Sequence, residues 1–439
     1  MADLEAQTSQ EQVSKSRSGR RSSSSSGITA AGDGPPVVSV GGSSRFSRAS
    51  KRITMGSILS SGLGLHGAIP PALGPHRNVG ILRLRIPGST YAQIFYPALP
   101  DAENTHTWPE VKYYREAAVK GLANFVEVPY SLMSNLVNVK HPFLLNAEIE
   151  PSEEPYPLVM FSHGLGGSAE MYSKVCMDMA SLGFVVVALE HEDGTASYSQ
   201  PENLSSPLPY TGAPKGFPYE RDGVINFRRP FLDHRMAEVS TALEFMRNGS
   251  VEEAKMQPLC EQERLQDVFD MMNKDEFWLS GHSFGGTSTT YASCQPWAVA
   301  AKGIILFDVW PFPIPKDIVK HGFVQPVLSI VSEEFYHGKE IDITLDLLEH
   351  SSSPHTYSFY IPGTRHQQFS DFAFAMRGLM FRVAKVAGSQ PPEKSQAAIF
   401  AALQGFMTAD FEDDSEDARH WAKDAVFETV LKNAAQNLL

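Results

Sequence analysis

Short apolar runs, separated by polar and amphipathic stretches, occupy the chain from residue 79 to residue 361. They lie at 80–86, 91–96, 158–162, 184–189, 277–280, 303–307, 327–331 and 357–361. Several are unbroken Val, Ile and Leu stretches, the pattern of strands covered on both faces. Between the runs the period lengthens. Over 229–248, Leu232, Met236, Val239, Leu243 and Met246 fall on one helical face, and Asn248 with Gly249 supplies a stop. Strand and helix in alternation predict an α/β fold with a mostly parallel, doubly wound sheet.

The two ends do not follow this rhythm. The first 54 residues hold fourteen serines, Ser22 to Ser26 consecutively, and few large apolar groups. Such a segment buries too little apolar surface to offset its ordering entropy, so a disordered tail and linker is expected over 1–70. Arg20 and Arg21 precede the serine run and Arg45 precedes Ser47, so phosphorylation is the sharper reading of this tail. At the other end, an acidic run from Asp410 to Asp417 leads into Trp421, Ala425, Phe427, Val430, Leu431, Ala434 and Leu438 at helical spacing. This stretch is expected to pack as a terminal helix, with a dimer contact as the alternative. The expected organisation is a tail at 1–70, one α/β domain at 71–408, and the acidic segment with its helix at 409–439.

Composition narrows the class. Of 439 residues 42% are hydrophobic, enough for a large core. The net charge is −13, with +4 in the first 54 residues and −17 in the rest, which disfavours a nucleic-acid partner. Cys176, Cys260 and Cys294 show no paired spacing, so neither a disulfide framework nor a zinc site is expected, and a reducing compartment fits. No run reaches the ~18 apolar residues of a membrane span, and the first residues lack the layout of a secretory signal. A cytoplasmic protein without a transmembrane segment is expected.

Candidate chemistry enters at Gly281-His282-Ser283-Phe284-Gly285-Gly286, directly after the apolar Phe277-Trp278-Leu279-Ser280 and before a helix-compatible segment. A G-x-S-x-G sequence in this context is the nucleophile elbow of the α/β-hydrolase fold. Its serine sits at the tip of a tight, strained turn, and β-carbons at Gly281 or Gly285 would collide as the turn closes. The helix that follows aims free N–H groups at developing negative charge. Ser283 is therefore the candidate nucleophile, against the bland reading of a buried turn. Cys294, two turns into that helix, is read as a packed thiol.

A serine hydroxyl needs a base, and the base needs an orienting carboxylate. In this fold they follow the serine in the order acid, then histidine, each at the C-terminal end of a strand. Asp308 ends the run 303–307. His366, in Gly363-Thr364-Arg365-His366, follows the run 357–361, whereas His321, His337, His350 and His355 do not end a strand in a glycine-bearing loop. Glu333 and Glu334 follow the next strand and compete for the role of acid; position puts Asp308 ahead of Glu333 and leaves both open. Upstream, Phe161-Ser162-His163-Gly164-Leu165-Gly166-Gly167 ends the run 158–162, where an HG-type loop presents a backbone N–H to the oxyanion. The Leu165 and Phe284 amides are the expected oxyanion pair, which leaves His163 a structural role. A His163–His191–Glu192–Asp193 metal cluster is the rival reading, but it lacks helical ligand spacing. No metal or cofactor is expected.

Taken together, several motifs resemble the platelet-activating-factor acetylhydrolase family, of the plasma and intracellular phospholipase type. They are Phe161-Ser162-His163-Gly164-Leu165-Gly166, Glu190-His191, Gly281-His282-Ser283-Phe284-Gly285-Gly286, Asp308-x-Trp310-x-Phe312-Pro313 and His366-Gln367-x-Phe369-Ser370-Asp371-Phe372. The similarity spans residues 79 to 372. Matched position by position, it implies Ser283 as nucleophile, Asp308 rather than Glu333 as acid, His366 as base, and Leu165 and Phe284 as oxyanion amides. It further implies calcium-independent hydrolysis of short or oxidatively truncated sn-2 acyl chains of phospholipids. Phospholipid is then the implied partner, with a peripheral contact at the membrane surface and an undefined oligomeric state.

The head, the acidic segment and the terminal stretch depart from the family pattern. Met55-Gly56-Ser57-Ile58-Leu59-Ser60 matches a myristoylation sequence that acts only if translation begins at Met55, and is otherwise linker. Family members lean helices near 113–137 on lipid. Here that segment carries Tyr114, Val119, Leu122, Phe125, Val126, Tyr130, Leu132, Met133 and Leu136, and covering the acyl pocket as core is the favoured expectation. The rival activities are a carboxylesterase, a dienelactone-type hydrolase and a serine peptidase, which share the triad. A non-catalytic module that kept the fold is a rival of a different class.

Overall fold

Each apolar run of the sequence becomes a strand of one sheet in the computed structural model, which describes residues 67–100, 103–376 and 386–411. The strands are β1 (Val79–Arg85), β2 (Tyr91–Pro97), β3 (Leu144–Leu145), β4 (Tyr156–Ser162), β5 (Val185–Glu190), β6 (Lys255–Met256), β7 (Met272–His282), β8 (Gly303–Phe307), β9 (Val327–Ser332) and β10 (Thr356–Ile361). Their order is β10-β9-β8-β7-β4-β5-β2-β1-β3, with β6 beside β1. Neighbours from β10 to β5 are all parallel, and β2 joins both β5 and β1 antiparallel. The mostly parallel α/β sheet expected from the pattern is present. β3 and β6 are two-residue pairings with β1, too short for periodicity to reveal.

Five helices matter for the site: α1 (Glu116–Phe125), α2 (Ser173–Ala180), α3 (Arg221–Asn248), α4 (Phe284–Ser293) and α5 (Pro392–Met407). They cover two cores, one on each sheet face. In β4, Val159 and Phe161 enter the core under α1, α2 and α5, while Leu158 and Met160 enter the one under α3 and α4. β8 divides in the same way, Ile305 and Phe307 against Ile304 and Leu306. Two buried faces explain why these strands read as unbroken apolar runs.

α3 begins at Arg221, ahead of the residue 229 that its polar-apolar pattern indicates, and it carries Pro230 inside. Proline near the start of a pattern reads as a first-turn residue. Here burial of Val224 and Arg228 extends the helix through it, at the loss of one backbone hydrogen bond. The expected core face is buried at Leu232, Met236, Val239, Leu243 and Met246. In the 113–137 segment, Tyr114, Val119, Leu122, Met133 and Leu136 are buried, Phe125, Tyr130 and Leu132 are half-buried, and Val126 is exposed. That burial agrees with a core cover. Residues 1–66 and 412–439, with the Ser-rich head, the Met55 pattern and the terminal amphipathic stretch, lie outside the described residues. Among the described residues no helix is long and apolar enough to cross a membrane.

The crossing of β7 into α4 has no spare room. A β-carbon at Gly281 would lie 2.3 Å from the Gly285 carbonyl oxygen, as the closing of the turn requires. One at Gly285 would lie 1.9 Å from the carbonyl oxygen of Ser162, on the neighbouring strand β4. Because that neighbour is backbone paired in register (Ser162 with Gly281), it cannot step aside without breaking the sheet. Gly285→Ala is therefore expected to cost about 3 kcal/mol or more, measured as a lowered urea midpoint; a wild-type midpoint would contradict this crossing geometry.

Candidate active site

The C-terminal ends of β7, β8 and β10 converge on three side chains. Ser283 sits at the tip of the turn between β7 and α4 with φ 58° and ψ −120°, a conformation costing about 1–3 kcal/mol for a residue with a side chain. Three backbone bonds hold it there: its N–H donates to the Phe307 carbonyl (3.0 Å), and its carbonyl accepts from the Thr287 and Trp310 N–H groups (3.1 Å each). Asp308 follows β8, and its carboxylate accepts from the Ser332 N–H at 2.6 Å and from the Ser332 hydroxyl at 2.7 Å. His366 opens the short helix after β10. Its Nδ1 lies 2.8 Å from Asp308 Oδ2 and its Nε2 lies 2.9 Å from Ser283 Oγ. A carboxylate only accepts, so Nδ1 carries the proton and the Nε2 lone pair of the neutral ring faces the serine hydroxyl. The three residues that the sequence singled out are thus joined in one hydrogen-bonded series, all of them buried.

The competing acids hold the loop that carries the histidine. Glu333 accepts from the Gly363 N–H at 3.1 Å. Glu334 accepts from the backbone N–H of His366 at 3.1 Å and pairs with Arg365 at 3.2 Å. Phe335 stacks on the His366 ring at 4.3 Å, within 2° of parallel. Sequence reasoning missed this shell. Ser332 had only its place one residue beyond the apolar run as a signal.

The loop after β4 approaches the serine so closely that a β-carbon at Gly164 would lie 2.9 Å from that of Ser283. Most of its amides are occupied. Gly164 N–H donates to the Tyr172 hydroxyl (3.3 Å), Gly166 N–H to Thr195 O (2.8 Å) and Gly167 N–H to Gly164 O (3.1 Å). The Leu165 N–H has no partner among the described residues. His163 fixes its direction. His163 Nε2 accepts from the His191 N–H at 3.0 Å, so Nδ1 holds the proton and donates to Gly164 O at 2.7 Å. The peptide unit is planar and trans, so pinning that oxygen on one side aims the Leu165 N–H to the other. The second expected amide, Phe284, opens α4, where first-turn N–H groups have no partner within the helix.

Arg235 ties these parts together from α3. It is fully buried and donates to Asp193 (2.9 Å), to the His163 carbonyl (2.8 Å) and to Ser288 of α4 (3.2 Å), with its guanidinium 4.7 Å from the Phe284 ring. Burial first, and then the charge of Arg235, pushes His163 down to about 3, so its imidazole stays neutral. An arginine between Leu232 and Met236 on a core-facing stripe was a readable signal. The donors of the rival metal cluster are occupied by protein: His191 by Glu238 (2.7 Å) and Ser162 (3.1 Å), and Asp193 by Arg235 and Thr195. Cys294 is half-buried in α4's C-cap, and burial raises its thiol, which keeps it from acting as a thiolate.

Comparison with known proteins converges on one family. The model for "Platelet-activating factor acetylhydrolase, isoform II" matches residues 65–428. The chain is 30% identical over 351 residues to platelet-activating factor acetylhydrolase of Gallus gallus, covering 74% of this chain and 80% of that protein. It is 24% identical over 340 residues to a putative phospholipase A2 of Schizosaccharomyces pombe, covering 66% of this chain and 72% of that one. Among solved structures, a ferulic acid esterase from Streptomyces cinnamoneus superposes with a TM-score of 0.54 at 17% identity, over 78% of this chain and 92% of the esterase, which shows a shared fold. With most of its length matched by the family model, the chain belongs to the platelet-activating factor acetylhydrolase isoform II family.

Proposed function

We propose that this protein is a calcium-independent serine esterase that removes short or oxidised acyl chains from the sn-2 position of phospholipids through an acyl-serine intermediate. The Ser283–His366–Asp308 hydrogen-bonded series carries the reading, and family membership supplies the substrate class. Ser283 is the nucleophile, His366 the base and Asp308 the acid, with the Leu165 and Phe284 amides as oxyanion donors, all within a catalytic domain at 71–408. The free thiols of Cys176, Cys260 and Cys294 favour a reducing, cytoplasmic compartment.

The steps follow from the geometry. His366 Nε2 takes the hydroxyl proton as Ser283 Oγ attacks the ester carbonyl, and Asp308 stabilises the imidazolium that forms. Its own two bonds from Ser332 keep the Asp308 carboxylate aimed. Charge develops on the carbonyl oxygen, where the Leu165 and Phe284 N–H groups are fixed in advance; one such donor contributes about 3 kcal/mol to the barrier reduction. His366 returns the proton to the departing lysophospholipid. Water then enters, His366 again acts as base, and the acyl group leaves as a free acid.

Two outcomes are expected. Ser283→Ala reduces hydrolysis of a 2-acetyl phospholipid at least ~10³-fold with an unchanged circular dichroism spectrum. Wild-type protein that cleaves simple esters but no short-chain phospholipid would instead point to a carboxylesterase. In a pH series, kcat/KM falls on the acid side with a slope of one. Protonation of His366 removes the lone pair that accepts from Ser283, while His282, held well below the ordinary imidazole range by burial, stays neutral. A slope of two would contradict the assignment of a single base.

A further inference from the structure

His282 is the variable position of the elbow sequence, and the steps above make no use of it. Its ring lies in the centre of the site, 4.4 Å from the His366 ring, on which Phe335 also stacks. Both of its nitrogens are engaged. The carbonyl oxygen of His366 can only accept, so His282 Nε2, 3.1 Å away, carries a proton and donates to it. Burial, then the charge of His366, disfavours a second proton, so Nδ1 is an acceptor. The Tyr172 hydroxyl donates to Nδ1 at 3.0 Å. The tyrosine oxygen accepts in turn from the Gly164 N–H at 3.3 Å.

Every proton in this series therefore has one direction, from Gly164 through Tyr172 and His282 to the backbone of His366. The series begins on the loop that presents the Leu165 amide, passes the residue next to the nucleophile and ends on the residue proposed as base. Phe161, 5.1 Å from the Tyr172 ring, and Phe369, 5.8 Å from the His282 ring, flank it, and both polar residues are buried. In such surroundings a buried hydroxyl or imidazole is costly unless paired, so each bond is strongly directional.

We propose that Tyr172 and His282 are positioning residues of the esterase: their hydrogen-bonded series sets the base and the oxyanion loop at a fixed spacing across Ser283. The proposal rests on the esterase reading above. It assigns His282 no proton transfer. It does give the elbow a side-chain requirement beyond serine and glycine, because the residue before the nucleophile must donate through one atom and accept through another.

The test uses the full chain with p-nitrophenyl acetate and a 2-acetyl phospholipid, reading kcat, KM and the thermal midpoint for each variant. Tyr172→Phe deletes one hydroxyl and keeps the ring. It is expected to lower kcat on the order of 10- to 100-fold through misplacement, with KM near wild type and a thermal midpoint lowered by the two unpaired groups yet well above the assay temperature. His282→Gln keeps a donor within reach of the His366 carbonyl, so it should retain more kcat than His282→Leu, which keeps neither bond. Tyr172→Phe with wild-type kcat, equal losses in the two His282 variants, or losses that merely track the fraction of unfolded protein would each overturn the proposal. Wild-type protein inert toward both esters would overturn the esterase reading itself, whereas an active wild type with any of the preceding results overturns the positioning role alone.

Discussion

The site depends on the passage of the elbow backbone beneath the end of β4. Gly285 runs under the Ser162 carbonyl with no room for a β-carbon, and a β-carbon at Gly164 would also crowd that of Ser283, at 2.9 Å. This contact fixes how far the serine stands from the loop that follows β4. It also sets the start of α4, where first-turn N–H groups have no partner within the helix, beside that loop. The strain at Ser283 is held by the sheet on one side and by the Phe307 and Trp310 backbone on the other.

Around that crossing the protein buries an unusual amount of polar chemistry. Arg235 with Asp193, His163 with Gly164, and Asp308 with Ser332 are all shielded from water. Buried ion pairs contribute little net stability, because desolvation offsets their attraction. What they supply here is direction. Each partner fixes a tautomer or a peptide plane: Ser332 and His366 Nδ1 orient the Asp308 carboxylate, His191 selects the Nδ1–H form of His163, and that proton turns the Gly164–Leu165 peptide. The Asp308 carboxylate, the His366 ring and the Gly164–Leu165 peptide are each held in one orientation by a neighbouring group.

Much of this was legible in the sequence. Strands buried on both faces announced themselves as unbroken apolar runs, and the elbow glycines marked a crossing that excludes a side chain. Ser283, Asp308 and His366 could be named because strand ends and chain order restrict where each can stand. What spacing alone left open was the choice between Asp308 and Glu333. In three dimensions the Asp308 carboxylate faces the His366 ring, while Glu333 and Glu334 turn to the backbone of the histidine loop. Ser332, Tyr172 and Phe335 were not legible, because their roles arise from contacts between residues far apart in the chain. The early start of α3 was hidden by Pro230, whose local preference is overridden by packing.

An acetylhydrolase family member with this geometry gains its reactivity from one hydroxyl among many serines, and the most direct measurement asks which serine that is. The full chain is treated with a fluorophosphonate at neutral pH, digested, and its adducts located by mass spectrometry. One phosphonyl group per chain is expected, carried by Ser283, with no serine of the head or of the 162–168 loop labelled. Absence of any adduct on folded protein, or an adduct at another serine, would contradict Ser283 as the nucleophile.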